Sequence, residues 1–318
     1  MRRQPGIWIG AAALVLSASL GSAAAGQAPA GDPVTEAPDQ AVSDEKKKLP
    51  EVTIEAQRRS IQRQAHSFVY DITDRVDDID SLARWGRPIC PLVAGITVEQ
   101  GEAVLTRLSQ IAIAAKAPLA PQHCKPNFEV VVTSDPDGLL KTWRHHDRFM
   151  FGRIPPPNGE QPIEQFIHST RPIRVWYNTD ITGNAGETSS DAVYALGRDF
   201  EGAPAVSVTN NPRMSQSALL KLTSVIIVVD GRRVKGYTVG QLADYIGLIG
   251  MAQVNPNFDP STAPSILRLF AASSSAGDRP DGLSSWDRAF LKGLYTTDQG
   301  SIWQRGQIVT RVVKELAP

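Results

Sequence analysis

The sequence predicts an α+β or α/β fold, in which packed helices cover a mixed sheet. Residues 225–229 form an unbroken apolar run, which is typical of a strand buried in the middle of a sheet. Residues 97–143 alternate an amphipathic helix, an apolar strand and a second helix, which is an α/β order. With 318 residues, 42% of them hydrophobic, the chain is long enough for a substantial core.

The N-terminus has the pattern of a secretory signal peptide. Arg2 and Arg3 precede an apolar stretch over residues 7–20, and residues 21–25 offer a small-residue cleavage site. The apolar stretch is too short to span a bilayer comfortably, and a retained N-terminal anchor is the alternative. We therefore expect the mature chain to start near Gly26 and to be periplasmic or secreted.

Residues 26–60 are predicted to be a disordered spacer. Residues 26–50 contain four prolines and no aromatic side chain, so they cannot bury enough apolar surface to offset chain entropy. Residues 49–59, with the sequence LPEVTIEAQRR, resemble the energy-coupling box of TonB-dependent outer-membrane receptors. The resemblance implies a peptide that docks onto the edge of a partner's sheet, and the alternative is a lone strand or linker.

The rest of the chain is expected to form two subdomains, residues 61–154 and 155–318. Their boundary is placed at the stiff, proline-rich segment 152–159. The first subdomain is predicted to contain, in order, a short helix at residues 79–85, a long helix capped by Thr97 and Gln100, a strand at residues 128–132, and a helix opened by Asp135 and Pro136.

The second subdomain is predicted to contain two strands and three helices. The strands cover residues 173–177 and 225–229. The helices are a segment capped by Thr238 and Gln241, a segment capped by Ser284 and Asp287, and an amphipathic stretch over residues 302–316.

Two cysteines, Cys90 and Cys124, are expected to form a disulfide. An even pair in an exported chain is most simply oxidised. A loop of this size stabilises a fold by about 3 to 4 kcal/mol in the chain-entropy model. The alternative is a catalytic cysteine, for which His123 stands beside Cys124.

The histidines show no metal-binding pattern. No H-x-x-x-H pair occurs, and the side chains of the adjacent His145 and His146 diverge on a helix or strand. The segment 143–147 therefore indicates a solvated, cationic helix end. The five histidines are His66, His123, His145, His146 and His168.

The sequence lacks the signatures of several common functions. The chain lacks the G-x-S-x-G elbow, the G-x-x-x-x-G-K-[ST] loop and a G-x-G-x-x-G turn after a strand. Aspartates and glutamates are plentiful, so a glycosidase with two carboxylates stays open, although nothing singles out a pair. Loss of residues 1–25 leaves 31 basic and 33 acidic side chains, which gives no basic surplus for nucleic acid or anionic membrane. No cofactor is expected.

The C-terminal third, including residues 264–266 and 283–295, resembles an uncharacterised group of secreted bacterial proteins. Some relatives of that group resemble zincin metallopeptidases. If Gly250 matches the glycine that ends their motif, Ala243 and Gly247 stand at the histidine positions and Asp244 at the glutamate. Neither Ala243 nor Gly247 can bind zinc, so the resemblance implies a metal-free relative. The alternative is a plain amphipathic helix whose small residues allow close packing.

These observations predict an exported envelope or periplasmic protein that binds or interacts without catalysis. Its partner is an unidentified protein or small molecule of the cell envelope. The alternative is a degenerate or cryptic zincin-like hydrolase, for which Asp244 and the histidines His145, His146 and His168 are the only candidates. Trp176 lies on the polar side of its strand and marks either a partner surface or a second layer of core.

Overall fold

The computed structural model describes most of the chain from Leu49 onward. The chain divides into residues 1–49 and 50–318. The predicted signal peptide and residues 26–48 of the predicted spacer lie outside the described residues. The described residues are 49–73, 81–147, 150–152, 161–183, 215–216, 218–255, 258–259, 264–271 and 278–317.

The sheet is built around β5 (Ala218–Asp230), which pairs with three strands. β4 (Ile173–Gly183) runs antiparallel along β5. β1 (Arg84–Trp85) and β3 (Phe128–Thr133) both run parallel to β5 along its other edge. β2 (Pro91–Ala94) extends the sheet beside β3, again in parallel. The mixed α/β fold is therefore confirmed, with mostly parallel strand pairs.

Side chains of β5 alternate between two apolar cores, one on each face of the sheet. Val225 and Ile227 face the larger core, whereas Ile226 and Val228 face a smaller one. The larger core is covered by α1 (Leu49–Ile72), α2 (Val98–Ala115), α5 (Val239–Met251), α6 (Ser285–Thr296) and α7 (Gln304–Leu316). The smaller core is covered by α3 (Pro136–His146) and α4 (Gln161–Ile167).

Local sequence signals place the start of four helices correctly. The three predicted capping boxes, at Thr97, Thr238 and Ser284, open α2, α5 and α6 with both reciprocal hydrogen bonds. Asp135 caps α3 by accepting from the Gly138 amide, and Pro136 occupies the first helical position. A short 3-10 helix (Ile266–Phe270) precedes α6.

The described part of the predicted helix at residues 79–85, residues 81–85, is not helical, which corrects the sequence interpretation. Arg84 and Trp85 instead pair with β5 as β1, and residues 81–83 are not helical. The Trp85 indole stacks on Phe128, with ring centroids 6.0 Å apart, and its Nε1 donates to the Gly250 carbonyl at 2.9 Å. These long-range contacts outweigh the helical spacing of the apolar side chains.

Residues 49–59 form the first part of α1, which corrects the expectation of a strand or linker. The later part of α1 buries Ala65, Phe68, Val69 and Ile72 against the larger core. This spacing follows one face of a helix, and once such a helix is anchored each further residue adds a backbone hydrogen bond. The helix therefore extends back through the segment that resembles the coupling box.

The boundary expected between two subdomains lies at residues 152–159, of which 153–159 are outside the described residues. Strands from both sides of it belong to one sheet, since β2 and β3 precede it and β4 and β5 follow it.

The predicted disulfide between Cys90 and Cys124 is confirmed, with Cα atoms 6.0 Å apart. It joins the residue before β2 to the loop that leads into β3, and it is consistent with an oxidising compartment. No helix in the described part of the chain combines the length and the apolar character that a membrane crossing requires.

Candidate functional site

The hydrolase candidates lie on opposite faces of the sheet. Asp244 is buried in α5 on the face of the larger core. His145 and His146 end α3, and His168 follows α4; both helices lie on the face of the smaller core. The sheet separates the carboxylate from the histidines, so these four residues do not form one site.

The histidines of α3 are solvated, as the sequence indicates. His145 and His146 are exposed, and their rings meet edge to face with centroids 5.5 Å apart. The Nδ1 atom of His146 lies 2.9 Å from the Thr142 carbonyl oxygen. Elsewhere, His66 stacks on Tyr70 on the exposed side of α1.

His168 belongs to a surface network of charges between α3 and α4. Its Nδ1 lies 3.9 Å from Asp137 and its Nε2 lies 3.5 Å from Glu164. Asp137 in turn pairs with the buried Arg174 at 2.6 Å, and Glu164 pairs with Arg144. Apart from Arg174, the side chains of this network are substantially exposed, so solvent screens their interactions.

The positions matched to the zinc motif face the packing between helices. A Cβ atom on Gly247 would lie 2.5 Å from Ile111 of α2, and one on Gly250 would lie 2.1 Å from the Phe128 ring. The small residues therefore allow α5 to pack closely on α2 and β3, as the alternative interpretation proposed. Across the described residues, no group of three or more His, Cys, Asp and Glu side chains is placed to hold a metal ion.

Trp176 belongs to the second layer of core. Its ring packs against Phe151 and Phe166, with centroids 5.8 and 5.6 Å away. Its Nε1 donates to the Asn178 side chain at 3.0 Å and to the Phe151 carbonyl at 3.2 Å. The indole is therefore packed and hydrogen-bonded rather than presented to a partner.

The carboxyl end of the parallel strands is the usual place for a ligand in an α/β sheet. After β3 the chain turns to α3 on one face, and after β5 it turns to α5 on the other. The buried Asp230 carboxylate at this point accepts from the Arg232 backbone amide at 3.0 Å and from its guanidinium at 3.2 Å. This pair holds the pKa of Asp230 below its usual range. Asp230 is thus satisfied by its own turn.

A cavity of about 470 Å³ lies between α2 and α6, and we call it the α2–α6 cavity. Its apolar lining comes from Ile111, Ala114 and Ala115 of α2, from Ala289 and Leu291 of α6, and from Leu283. The volume lies within the range of about 300 to 1,000 Å³ that is usual for small-molecule sites.

Three cationic side chains, Arg107, Arg288 and Lys292, also line the α2–α6 cavity, against one carboxylate, Glu315. Glu315 is ion-paired with Lys292, their charged atoms being 2.6 Å apart, and this pairing lowers the pKa of Glu315. The lining therefore combines apolar surface with a surplus of positive charge.

Arg107 is held in place by a buried carboxylate. Its guanidinium donates from both Nε and Nη2 to Asp244, the latter at 2.9 Å, and the hydrogen bond to Asp244 raises the pKa of Arg107. Asp244 also accepts from the Leu283 amide at 2.7 Å. A buried side chain of α5 thus fixes both a cation at the cavity and the loop before α6.

Arg288 approaches the same loop from the other helix, because its guanidinium donates to the Leu283 carbonyl. Arg288 therefore contacts Leu283 directly, and Arg107 is linked to the same residue through Asp244. Sequence reasoning missed both arginines. The only signal in the sequence was that Arg107 and Arg288 each flank the apolar stripe of a helix. Such positions are common on surface helices, and they do not show that the two flanks face each other.

The fold and this site define a class: a mixed α/β protein, stapled by a disulfide, with a positively charged cavity between two helices. Comparison with protein-family models, with curated proteins and with solved structures finds no match for this chain.

Proposed function

We propose that this chain is an exported, non-catalytic binding protein whose ligand site is the α2–α6 cavity. The observation that carries the proposal is the cavity itself, which is of ligand size and has an apolar lining with a few charged groups. The signal-peptide pattern and the disulfide support export.

The lining favours binding over catalysis. Among the described residues that line the cavity, none is a histidine or a cysteine, so the Ser285 hydroxyl has no imidazole beside it. Arginine and lysine side chains at neutral pH hold and orient anions, but they are poor general bases because they stay protonated.

The test fills the cavity without disturbing the core. Ala114 is exposed on α2 and lines the cavity, so Ala114→Phe places a ring in it. Ile113, its neighbour, is 68% exposed and lies outside the lining, so Ile113→Phe is the matched control. Calorimetric titration with octanoate, 1-octanol and octylammonium is expected to show binding of at least one probe to the wild type and to Ile113→Phe, with loss in Ala114→Phe.

Two outcomes would overturn the proposal. One is that none of the three probes binds, or that Ala114→Phe binds them as the wild type does. The other is catalysis at the cavity, seen as hydrolysis of p-nitrophenyl octanoate above the buffer rate that disappears in Ala114→Phe.

Export has a separate test. Intact mass measurement of the protein recovered from the periplasm of an expression host is expected to give a chain that starts near Gly26 and has no free thiol. A full-length chain recovered from the cytosol would contradict this part of the proposal.

A further inference from the structure

We propose that the α2–α6 cavity selects an organic carboxylate with an apolar body, an inference that rests on the function proposed above. The selecting groups are Arg107, which is linked to Leu283 through Asp244, and Arg288, which donates to the Leu283 carbonyl. Lys292, one helical turn beyond Arg288, adds a third cation that is paired with the lining carboxylate Glu315. The apolar body would lie along the alanine and leucine side chains between the two helices.

The guanidinium groups have donors left for a ligand. Arg107 uses Nε and Nη2 for Asp244 and makes a long Nη1 contact of 3.4 Å to Gln110, and Arg288 makes one hydrogen bond, to the Leu283 carbonyl. A guanidinium has five N–H donors, so within the described part of the chain both arginines keep N–H groups without a protein acceptor. Planar donor pairs of this kind suit a carboxylate.

Asp244 makes Arg107 a fixed rather than a flexible cation. The bidentate contact and the burial of the carboxylate hold the guanidinium at the cavity before any ligand arrives. A preorganised cation loses less side-chain entropy on binding than a free arginine on a surface does. Asp244 is therefore a positioning residue, and the carboxylate that it presents is already paired and does not repel an incoming anion strongly.

The apolar lining requires the anion to carry an apolar body. Ala114, Ala115 and Ala289 leave space between helices that otherwise pack together, and Ile111 and Leu291 close the inner side. An inorganic anion would leave this surface hydrated, whereas an alkyl chain removes it from water at a gain of about 25 cal/mol per Å².

The charge of the ligand can be tested with probes of equal length. Octanoate is expected to bind about tenfold or more tightly than 1-octanol, and octylammonium is expected to show no binding. Raising NaCl from about 50 to about 500 mM is expected to weaken the octanoate complex and to leave octanol unchanged. Octyl phosphate in the same series tells whether the site prefers a carboxylate to another anion.

A charge variant locates the effect in the cavity. Lys292→Gln removes one lining cation and leaves its partner Glu315 unpaired at the cavity. It is therefore expected to weaken octanoate binding about three- to fivefold, with no effect on octanol. Lys235→Gln removes an equal charge from an exposed turn outside the lining and is expected to change neither.

The outcomes separate this inference from the proposed function. If octanol binds as tightly as octanoate and Ala114→Phe blocks both, the cavity is a ligand site and the carboxylate preference is wrong. Equal weakening by Lys292→Gln and Lys235→Gln, or tighter binding of octyl phosphate, also overturns the preference. If no probe binds, the proposed function itself fails.

Discussion

The two faces of the sheet treat charge in opposite ways. On the face of the larger core, Asp244 and Asp287 are 3% and 0% exposed, and each carboxylate is held by several hydrogen bonds to other segments. On the opposite face, Glu164 pairs with Arg144 and lies 3.5 Å from His168, and each of these side chains is about a third to a half exposed. Buried charges can fix the position of distant segments because water does not compete for them, whereas exposed pairs fix little.

The largest expected effect concerns Asp287. Its carboxylate accepts from the Ser265 hydroxyl at 2.6 Å, from the Ile266 amide at 2.8 Å and from the Ser284 amide and hydroxyl at 2.9 Å. Asp287→Ala leaves these donors buried without an acceptor and is expected to lower the free energy of unfolding by about 3 to 4 kcal/mol. Urea unfolding measures it, and the exposed Asp281→Ala should change stability by less than about 0.5 kcal/mol.

The same residue predicts a pH dependence. Burial raises the pKa of the Asp287 carboxyl above its usual range, so the folded protein keeps this proton to a higher pH than the unfolded chain does. The proton-linked part of its contribution to stability is therefore present below the unfolded pKa and is lost as pH rises through the raised pKa, whereas the hydrogen bonds that the carboxylate accepts persist above it. The difference in unfolding free energy between wild type and Asp287→Ala should shrink over that rise, and a difference that grows would contradict the prediction.

The disulfide is expected to contribute nearly as much as Asp287. The double variant Cys90→Ser/Cys124→Ser frees a loop whose ends are 34 residues apart, which should lower the free energy of unfolding by about 3 kcal/mol. Dithiothreitol should reproduce the loss in the wild type. A free energy of unfolding that neither treatment changes would contradict this prediction.

Close packing on the larger core gives the next effect. Gly250→Ala would place a Cβ atom 2.1 Å from the Phe128 ring, so α5 or the ring must move, at a cost of about 1 to 3 kcal/mol. Gly240, in the first turn of the same helix, has only the Thr238 hydroxyl within 4 Å, at 3.9 Å. Gly240→Ala is therefore expected to leave stability unchanged or to raise it by up to about 1 kcal/mol, and thermal unfolding compares the two.

The smallest effect is expected on the other face. Glu164→Gln removes the partner of Arg144 and His168 on the surface, which should change the free energy of unfolding by at most about 0.5 kcal/mol. The change should disappear in high salt. A loss as large as that of Asp287→Ala would abolish the contrast between the two faces.

Much of the fold was predictable because its signals are local. The capping boxes at Thr97, Thr238 and Ser284 each involve only the N-cap residue and the first turn of the helix that follows. Strands β3 and β5 are indicated by apolar runs. The candidate site was not predictable in this way. Arg107 and its partner Asp244 are 137 residues apart in the chain, and each by itself is an ordinary charged residue of an amphipathic helix.

The errors have the same origin. Residues 79–85 have the spacing of a helix, but Arg84 and Trp85 pair with β5 as a short strand instead. Residues 49–59 alternate like a strand, but the packed later half of α1 extends a helix through them. In both segments a short local pattern is weak compared with contacts made by residues far away in sequence.

The sequence by itself determined the capped helices, the buried strands and, with only two cysteines, the disulfide, because each depends on neighbouring residues or on a single pairing. Only the tertiary structure showed which flanks of α2 and α6 face each other and which groups bind the buried carboxylates. It also showed that the glycines of α5 allow close packing against α2 and β3. Those outcomes depend on shape complementarity and desolvation between distant segments, and neither quantity is encoded at one position of the chain.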